Sequence, residues 1–247
     1  MKHVGILAHS AEGSALCYLA ACHEGIRRLG PHQHPDITLD VIAMGKSMAA
    51  WEQFDLPSIR ATLTQTLERL DAAGCDFFIC PDNTAHLALE AGNTSLPLPG
   101  LHIAEVVADY ALSRKFRSLG VLGTKWTMDG SIYRDAFDRR GLKFHIPGEV
   151  DRELINATIF EELCGGIFRE ETKADYQRII RDLGRAGCDA VVLGCTEIPL
   201  LITPEASPLP VLDSTRLLAQ AAVDVALGAR AQPSWRGGKI RSVDVTA

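Results

Sequence analysis

Short runs of consecutive apolar residues, each bounded by Gly, Asp or Pro, recur along the chain at 3–8, 37–43, 76–80, 119–122, 143–146 and 189–193. Runs of that length read as strands covered on both faces, the pattern of a parallel sheet. Between them the spacing of apolar positions becomes helical. Leu63, Leu67 and Leu70 share one face of 57–73, and Tyr176, Ile179, Ile180 and Leu183 do the same in 172–186. A last short strand, Pro210-Val211-Leu212, precedes a helix over about 213–228. Strands alternating with helices of this length predict an α/β fold of parallel sheets joined by crossover helices.

The pattern occurs twice. Ala73-Gly74-Cys75-Asp76 opens a segment that runs through Phe77, Phe78 and Ile79 to a polar cluster, Asp82-Asn83-Thr84. Ala186-Gly187-Cys188-Asp189 opens another that runs through Ala190 to Leu193 and ends in Cys195-Thr196-Glu197. Counting eight from Gly74 and from Gly187 lands on Asp82 and Cys195, an offset of 113. Upstream, Val4-Gly5-Ile6-Leu7 matches Leu119-Gly120-Val121-Leu122 at an offset of 115. Two matches at nearly equal offsets predict a duplicated fold. The expected molecule has two similar Rossmann-like lobes related by a pseudo-twofold axis, with the active site in the cleft between them. Residues 1–104 with 207–228 are expected in the first lobe and 105–206 in the second, and 229–247 as a mobile basic tail.

Composition narrows the classes of function. The 247 residues are 47% hydrophobic and 23% charged, enough for a substantial core, so extensive disorder is excluded. A net charge of −6 argues against a nucleic-acid surface. No window approaches the roughly 18 apolar residues of a membrane span. The stretch Met1 to Ser10 is too short an apolar run for a signal peptide, and the seven cysteines form an odd set without a Cys-x-x-Cys pair. A cytoplasmic location with reduced thiols, no structural zinc and no membrane contact is therefore expected. Gly120 to Thr124 lacks a nucleotide-binding fingerprint, Trp51, Trp126 and Trp235 form no base-stacking platform, and His32-Gln33-His34 with Asp36 reads as a proline-flanked loop rather than a metal site.

Ligands of parallel α/β sheets bind beyond the carboxyl ends of strands, and both repeated polar clusters fall there. Asp82 and Cys195 facing each other across a cleft have a chemical meaning: inverting a stereocentre without a cofactor needs one group to remove the Cα proton and another to return one on the opposite face. Asn83, Thr84 and Thr196, with loop N–H groups, suit an α-carboxylate and the enolate-like charge that develops. A position after Gly194 and before a helix N-terminus predicts a lowered thiol pKa for Cys195. Two readings stay open for each group. Asp82 is a base or a helix cap, Cys195 an acid or a packed core thiol, and Glu197 orients the Cys195 loop or complements a helix dipole. His86, just inside the following helix, is either a site contact or a structural histidine.

Cys80-Pro81-Asp82-Asn83-Thr84-Ala85-His86 and Leu193-Gly194-Cys195-Thr196-Glu197-Ile198-Pro199-Leu200 resemble the paired signatures of the aspartate/glutamate racemase family. Gly123-Thr124-Lys125-Trp126-Thr127-Met128 and Phe160-Glu161-Glu162-Leu163-Cys164 are similar to that family too, so the resemblance covers about 3–226. It implies two α/β lobes, a homodimer, no PLP or metal, and catalysis by two thiols, one per lobe. With the loop at Ser10, it adds Thr124 and Thr127 to the expected substrate-binding residues Asn83, Thr84, Thr196 and Glu197. The chain departs from the pattern where Asp82 replaces the first-lobe cysteine, with Cys80 two residues earlier and expected to sit back in the strand. The loop Ala8-His9-Ser10-Ala11-Glu12-Gly13-Ser14 is less glycine-rich than the family's, and Ile167 stands where a polar or basic residue is usual. Both departures weaken the expectation of an acidic substrate side chain, for which Lys46 is a candidate partner. Similar folds include arylmalonate decarboxylases and maleate isomerases that rely on the second-lobe cysteine. The expected function is a cofactor-independent racemase or epimerase of a small amino acid or carboxylate. The alternatives are those two chemistries and a non-catalytic carboxylate binder.

Overall fold

β1 (Val4–Ala8) is buried at every position and leads directly into α1 (Ala11–Leu29). The computed structural model describes residues 1–92 and 95–231. After α1 come β2 (Ile37–Val41), α2 (Met48–Glu52), α3 (Leu56–Ala72), β3 (Phe77–Ile79), α4 (Ala85–Glu90), β4 (Gly100–Leu101) and α5 (Ile103–Ser113). The second half repeats the theme with β5 (Ser118–Leu122), α6 (Lys125–Asp129), α7 (Ser131–Asp138), β6 (Lys143–His145), α8 (Glu149–Glu161), α9 (Glu170–Arg185), β7 (Ala190–Leu193), α10 (Ile198–Leu201), β8 (Val211–Asp213) and α11 (Ser214–Ala226). Among the described residues the strands form two four-stranded parallel sheets, ordered β2-β1-β3-β4 and β6-β5-β7-β8.

The two registers are equivalent. Val4 lies opposite Phe77 in the first sheet and Leu119 opposite Ala190 in the second, the same positions displaced by the sequence offsets of 115 and 113. The repeated Ala-Gly-Cys-Asp is the joint that sets this register. Gly74 at φ 83° and Gly187 at φ 94° turn the chain out of α3 and α9. The next N–H reaches back into the helix, Cys75 to the Leu70 carbonyl (3.1 Å) and Cys188 to that of Leu183 (3.0 Å). That is a Schellman closure, which needs the left-handed residue that glycine supplies. Asp76 then accepts from the His3 N–H at 2.7 Å, and Asp189 from those of Arg117 (2.7 Å) and Ser118 (3.1 Å). Each aspartate ties the incoming strand to the start of its neighbour.

The expected strands at 3–8, 37–43, 76–80, 119–122, 143–146 and 189–193 all appear, each trimmed at an end except β5, which starts one residue earlier. β4 was not expected, because two residues carry no periodicity. The strand near 210–212, expected with the first lobe, is β8 and pairs with β7 in the second sheet. The helix after it, α11, packs instead on α1 of the first half and on α5. The arrangement is reciprocal: α5, which follows β4 of the first sheet, packs on α7 of the second half. One apolar cluster runs through both sheets, joining Ile6, Phe77 and Ile79 to Leu119, Val121, Val192 and Leu212, and a second joins Leu122, Val191 and Leu193 to Ile155, Tyr176 and Ile180. No helix among the described residues is long and apolar enough to cross a membrane. Residues 232–247, most of the expected basic tail, lie outside the described residues together with Trp235.

Candidate active site between the lobes

Four loops meet at the carboxyl ends of β1, β3, β5 and β7. They carry His9 and Ser10, Asp82 to Thr84, Thr124, and Gly194 to Glu197. Together they floor a cavity of about 50 Å³. The approach is close: a Cβ on Gly13, in the first turn of α1, would lie 2.1 Å from the Thr196 Cβ, so only glycine lets that turn rest on the Cys195 loop.

Asp82 leaves the first sheet just beyond β3, with 22% of its side chain exposed. Its Oδ2 lies 3.0 Å from Nδ1 of buried His9, whose Nε2 is 2.9 Å from the Ser47 hydroxyl. Its Oδ1 accepts from the Ala85 N–H at 3.2 Å, so the carboxyl also serves as a cap for the first turn of α4. Burial opposes the charge, but the hydrogen bond and charge of His9, with the Ala85 N–H, outweigh it and hold the Asp82 pKa below the ordinary value. Asp82 rests as a carboxylate. His86 is a structural histidine: it is fully buried, its Nδ1 is 2.9 Å from the Asp82 carbonyl, and its Nε2 accepts from the Ile103 N–H. Burial above all lowers its pKa to about 3, so the ring stays neutral. Cys80 lies one residue past the end of β3 rather than within the strand, and it is fully buried, with Sγ 3.7 Å from the Asp82 carbonyl oxygen.

Cys195 answers Asp82 from the second sheet. Its Sγ donates to Glu197 Oε2 at 3.0 Å, an oxygen that also accepts from the Thr196 hydroxyl at 2.7 Å. The expected lowering of the thiol pKa is overturned. Burial, followed by the Glu197 charge and hydrogen bond, pushes the Cys195 thiol well above its usual range. α10 is only four residues long and begins after Glu197, so the carboxylate intervenes between the sulfur and the helix end. Among the described residues Glu197 Oε1 is buried without a hydrogen-bond partner, an acceptor that ordinarily costs about 1–3 kcal/mol when unmet.

The expected substrate-binding residues are mostly brought together. Ser10, Asn83, Thr84, Thr124, Thr196 and Glu197 line the cavity with Asp82 and Cys195. Thr127 does not: it is fully buried, hydrogen-bonded to the Thr84 hydroxyl at 3.0 Å, while Thr124 caps α6 and meets Thr84 at 2.9 Å. This hydroxyl cluster joins the two lobes. Both ends of the Asn83 amide are taken, by Ser214 (3.1 Å) and by the Tyr133 hydroxyl (2.6 Å). Lys46 and Ile167 are exposed and are not among the lining residues.

Sequence reasoning passed over His9 and an apolar wall. His9 had a signal: the offset of 115 carries it onto Thr124, a position already singled out. Trp126 and Phe160 lay in segments that resemble the family but were given no role, and Met44, Met48, Trp51 and Ile159 had no signal, since apolar residues in short helical segments read as core. Trp51 from the first half meets Trp126 at a tilt, 5.6 Å between ring centres, and Trp126 meets Phe160 edge-on at 6.1 Å. Cys164 also lines the cavity, its thiol pushed up to about 12 by burial and then by the charges of Glu197, Asp82 and Glu12.

A two-lobed α/β molecule with a carboxylate and a thiol at matching strand ends, both facing one cavity, defines a class of small-molecule enzymes built by duplication. The family is given by comparison with known proteins. The Asp/Glu/hydantoin racemase family model matches residues 10–222, and the chain belongs to that family, which makes it an isomerase. It is 26% identical over 159 residues to the broad specificity amino-acid racemase RacX of Bacillus subtilis, covering 64% of this chain and 68% of that protein. A crystal structure from Yersinia pestis, described as a candidate Asp/Glu racemase, superposes with a TM-score of 0.80 at 30% identity over 92% of this chain and 100% of that one. An aspartate racemase homologue from Pyrococcus horikoshii OT3 superposes with a TM-score of 0.73 at 27% identity, with the same coverage.

Proposed function

We propose that the protein is a cofactor-independent racemase or epimerase that inverts the Cα of a small amino acid or related carboxylate, with Asp82 and Cys195 on opposite faces of the substrate. The observation that carries this reading is the placement of two groups from equivalent strand ends, the Asp82 carboxyl and the Cys195 thiol, on the lining of one cavity. Asp82 takes the Cα proton of the enantiomer that presents it to the first lobe. Electron density moves toward the substrate carboxylate, stabilised by the Ser10, Thr84, Thr124 and Thr196 hydroxyls and nearby loop N–H groups. Cys195 delivers its proton to the other face, which leaves a thiolate and a protonated Asp82. A proton passed back through solvent restores the starting state.

Glu197 has two roles in this scheme. Oε2 holds the thiol in place, and the unpartnered Oε1 accepts from the substrate α-ammonium, which relieves its burial. His9 keeps Asp82 ionised and oriented, and Ser47 fixes the His9 ring. Assembly as a homodimer, on the strength of the family resemblance, and a cytoplasmic location, from the odd set of cysteines, belong to the same reading. Incubating the protein with amino acids in deuterium oxide and following the Cα proton by NMR tests it. Exchange of the Cα hydrogen is expected. Its absence, with carbon dioxide released from a disubstituted malonate, gives the site to a decarboxylase. Absence of both leaves a binding protein.

A further inference from the structure

The polar end of the cavity is crowded with negative groups and the other end is apolar. Asp82 and Glu197 both face the cavity, and among the described lining residues none is lysine or arginine. The lining imidazole, His9, is already engaged by Asp82 and Ser47. Lys125 lies 4.7 Å over the Trp126 ring and is not a lining residue. A second substrate carboxylate placed here would meet two like charges and an aromatic surface, without a cation to balance its lost hydration. The apolar lining is Trp51, Trp126 and Phe160, in tilted and edge-on ring contact across the cleft from both halves of the chain, with Met44, Met48 and Ile159. Methionine and aromatic side chains adapt to aliphatic and ring surfaces alike.

We infer that the substrate carries an apolar side chain, seated against the Trp51–Trp126–Phe160 wall, and not a second carboxylate. This rests on the Cα proton-transfer reading and names the substrate class for that same site. The hydroxyl cluster and loop N–H groups hold the one carboxylate that every such substrate shares. Glu197 Oε1 takes the ammonium, and the wall takes the side chain by removing it from water. Selectivity against aspartate and glutamate comes from the missing cation more than from size.

Rates of Cα exchange in deuterium oxide for leucine, methionine and phenylalanine, set beside aspartate and glutamate, test the inference. The best apolar substrate is expected to exceed both acidic ones by at least about tenfold in kcat/KM. Exchange confined to aspartate and glutamate, or faster with them, overturns the inference while leaving proton transfer intact. Exchange with no amino acid overturns both together. A second arm introduces the missing charge: Met48→Arg, with Met44→Lys as its substitute should the first fail to fold by circular dichroism. The ratio of acidic to apolar kcat/KM is expected to rise at least about tenfold, and an unchanged or falling ratio overturns the inference.

Discussion

The Asp82 carboxyl and the Cys195 thiol are displaced in opposite directions from their ordinary acidities, and each displacement has a nameable source. For Asp82 the source is chiefly His9, so the pH dependence of proton abstraction should follow that contact. The base form is lost as pH falls through the Asp82 pKa, which lies below the ordinary carboxylate value of about 3.9. Replacing His9 by Gln removes the ring and leaves the burial, so the pKa rises. The acid limb of the exchange profile should move up by roughly one pH unit, and a limb in the wild-type place would show that His9 does not tune Asp82. For Cys195 the source after burial is Glu197. Glu197→Gln keeps a partner for the thiol but removes the charge, and should shift thiolate formation, read by ultraviolet absorbance, to lower pH. It should also weaken substrate binding, seen as a raised KM, because the ammonium acceptor becomes neutral.

Sequence periodicity makes the helices and buried strands legible, because their signals are local: uninterrupted apolar runs and leucines at helical spacing. The Ala-Gly-Cys-Asp repeat is legible as a repeat, while its purpose as a helix-to-strand joint needs the backbone. At both joints a Cβ would meet nothing within 4 Å, so only the left-handed conformation resists a side chain there. Gly74→Ala and Gly187→Ala should each cost about 1 kcal/mol, lowering Tm by roughly 2–4 °C, with similar losses in the two lobes. A loss at one joint alone, measured by thermal unfolding, would contradict their equivalence. Met44, Met48 and Trp51 escape sequence reasoning for the opposite reason. A short helix whose apolar residues face a cavity has the same pattern as one facing the core.

The way the halves interlock is not legible in the sequence at all. Local spacing places a strand near 211 and a helix after it, but only tertiary packing decides that β8 joins the second sheet while α11 covers α1. With α5 crossing the other way and one apolar cluster running through both sheets, the lobes should unfold together. Calorimetry should give a single transition whose van't Hoff and calorimetric enthalpies agree; two resolved transitions would refute that coupling. The same interlock brings a strand end from each sheet to one cavity, and the proposed chemistry depends on it. The most direct measurement is deuterium incorporation at Cα from each pure enantiomer of one exchanging substrate, in Asp82→Asn and in Cys195→Ala. Each variant should keep exchange with one enantiomer and lose it by about 10²–10⁴-fold with the other, in complementary fashion. If both variants lose the same enantiomer, or neither loses any, then Asp82 and Cys195 do not serve opposite faces of one carbon.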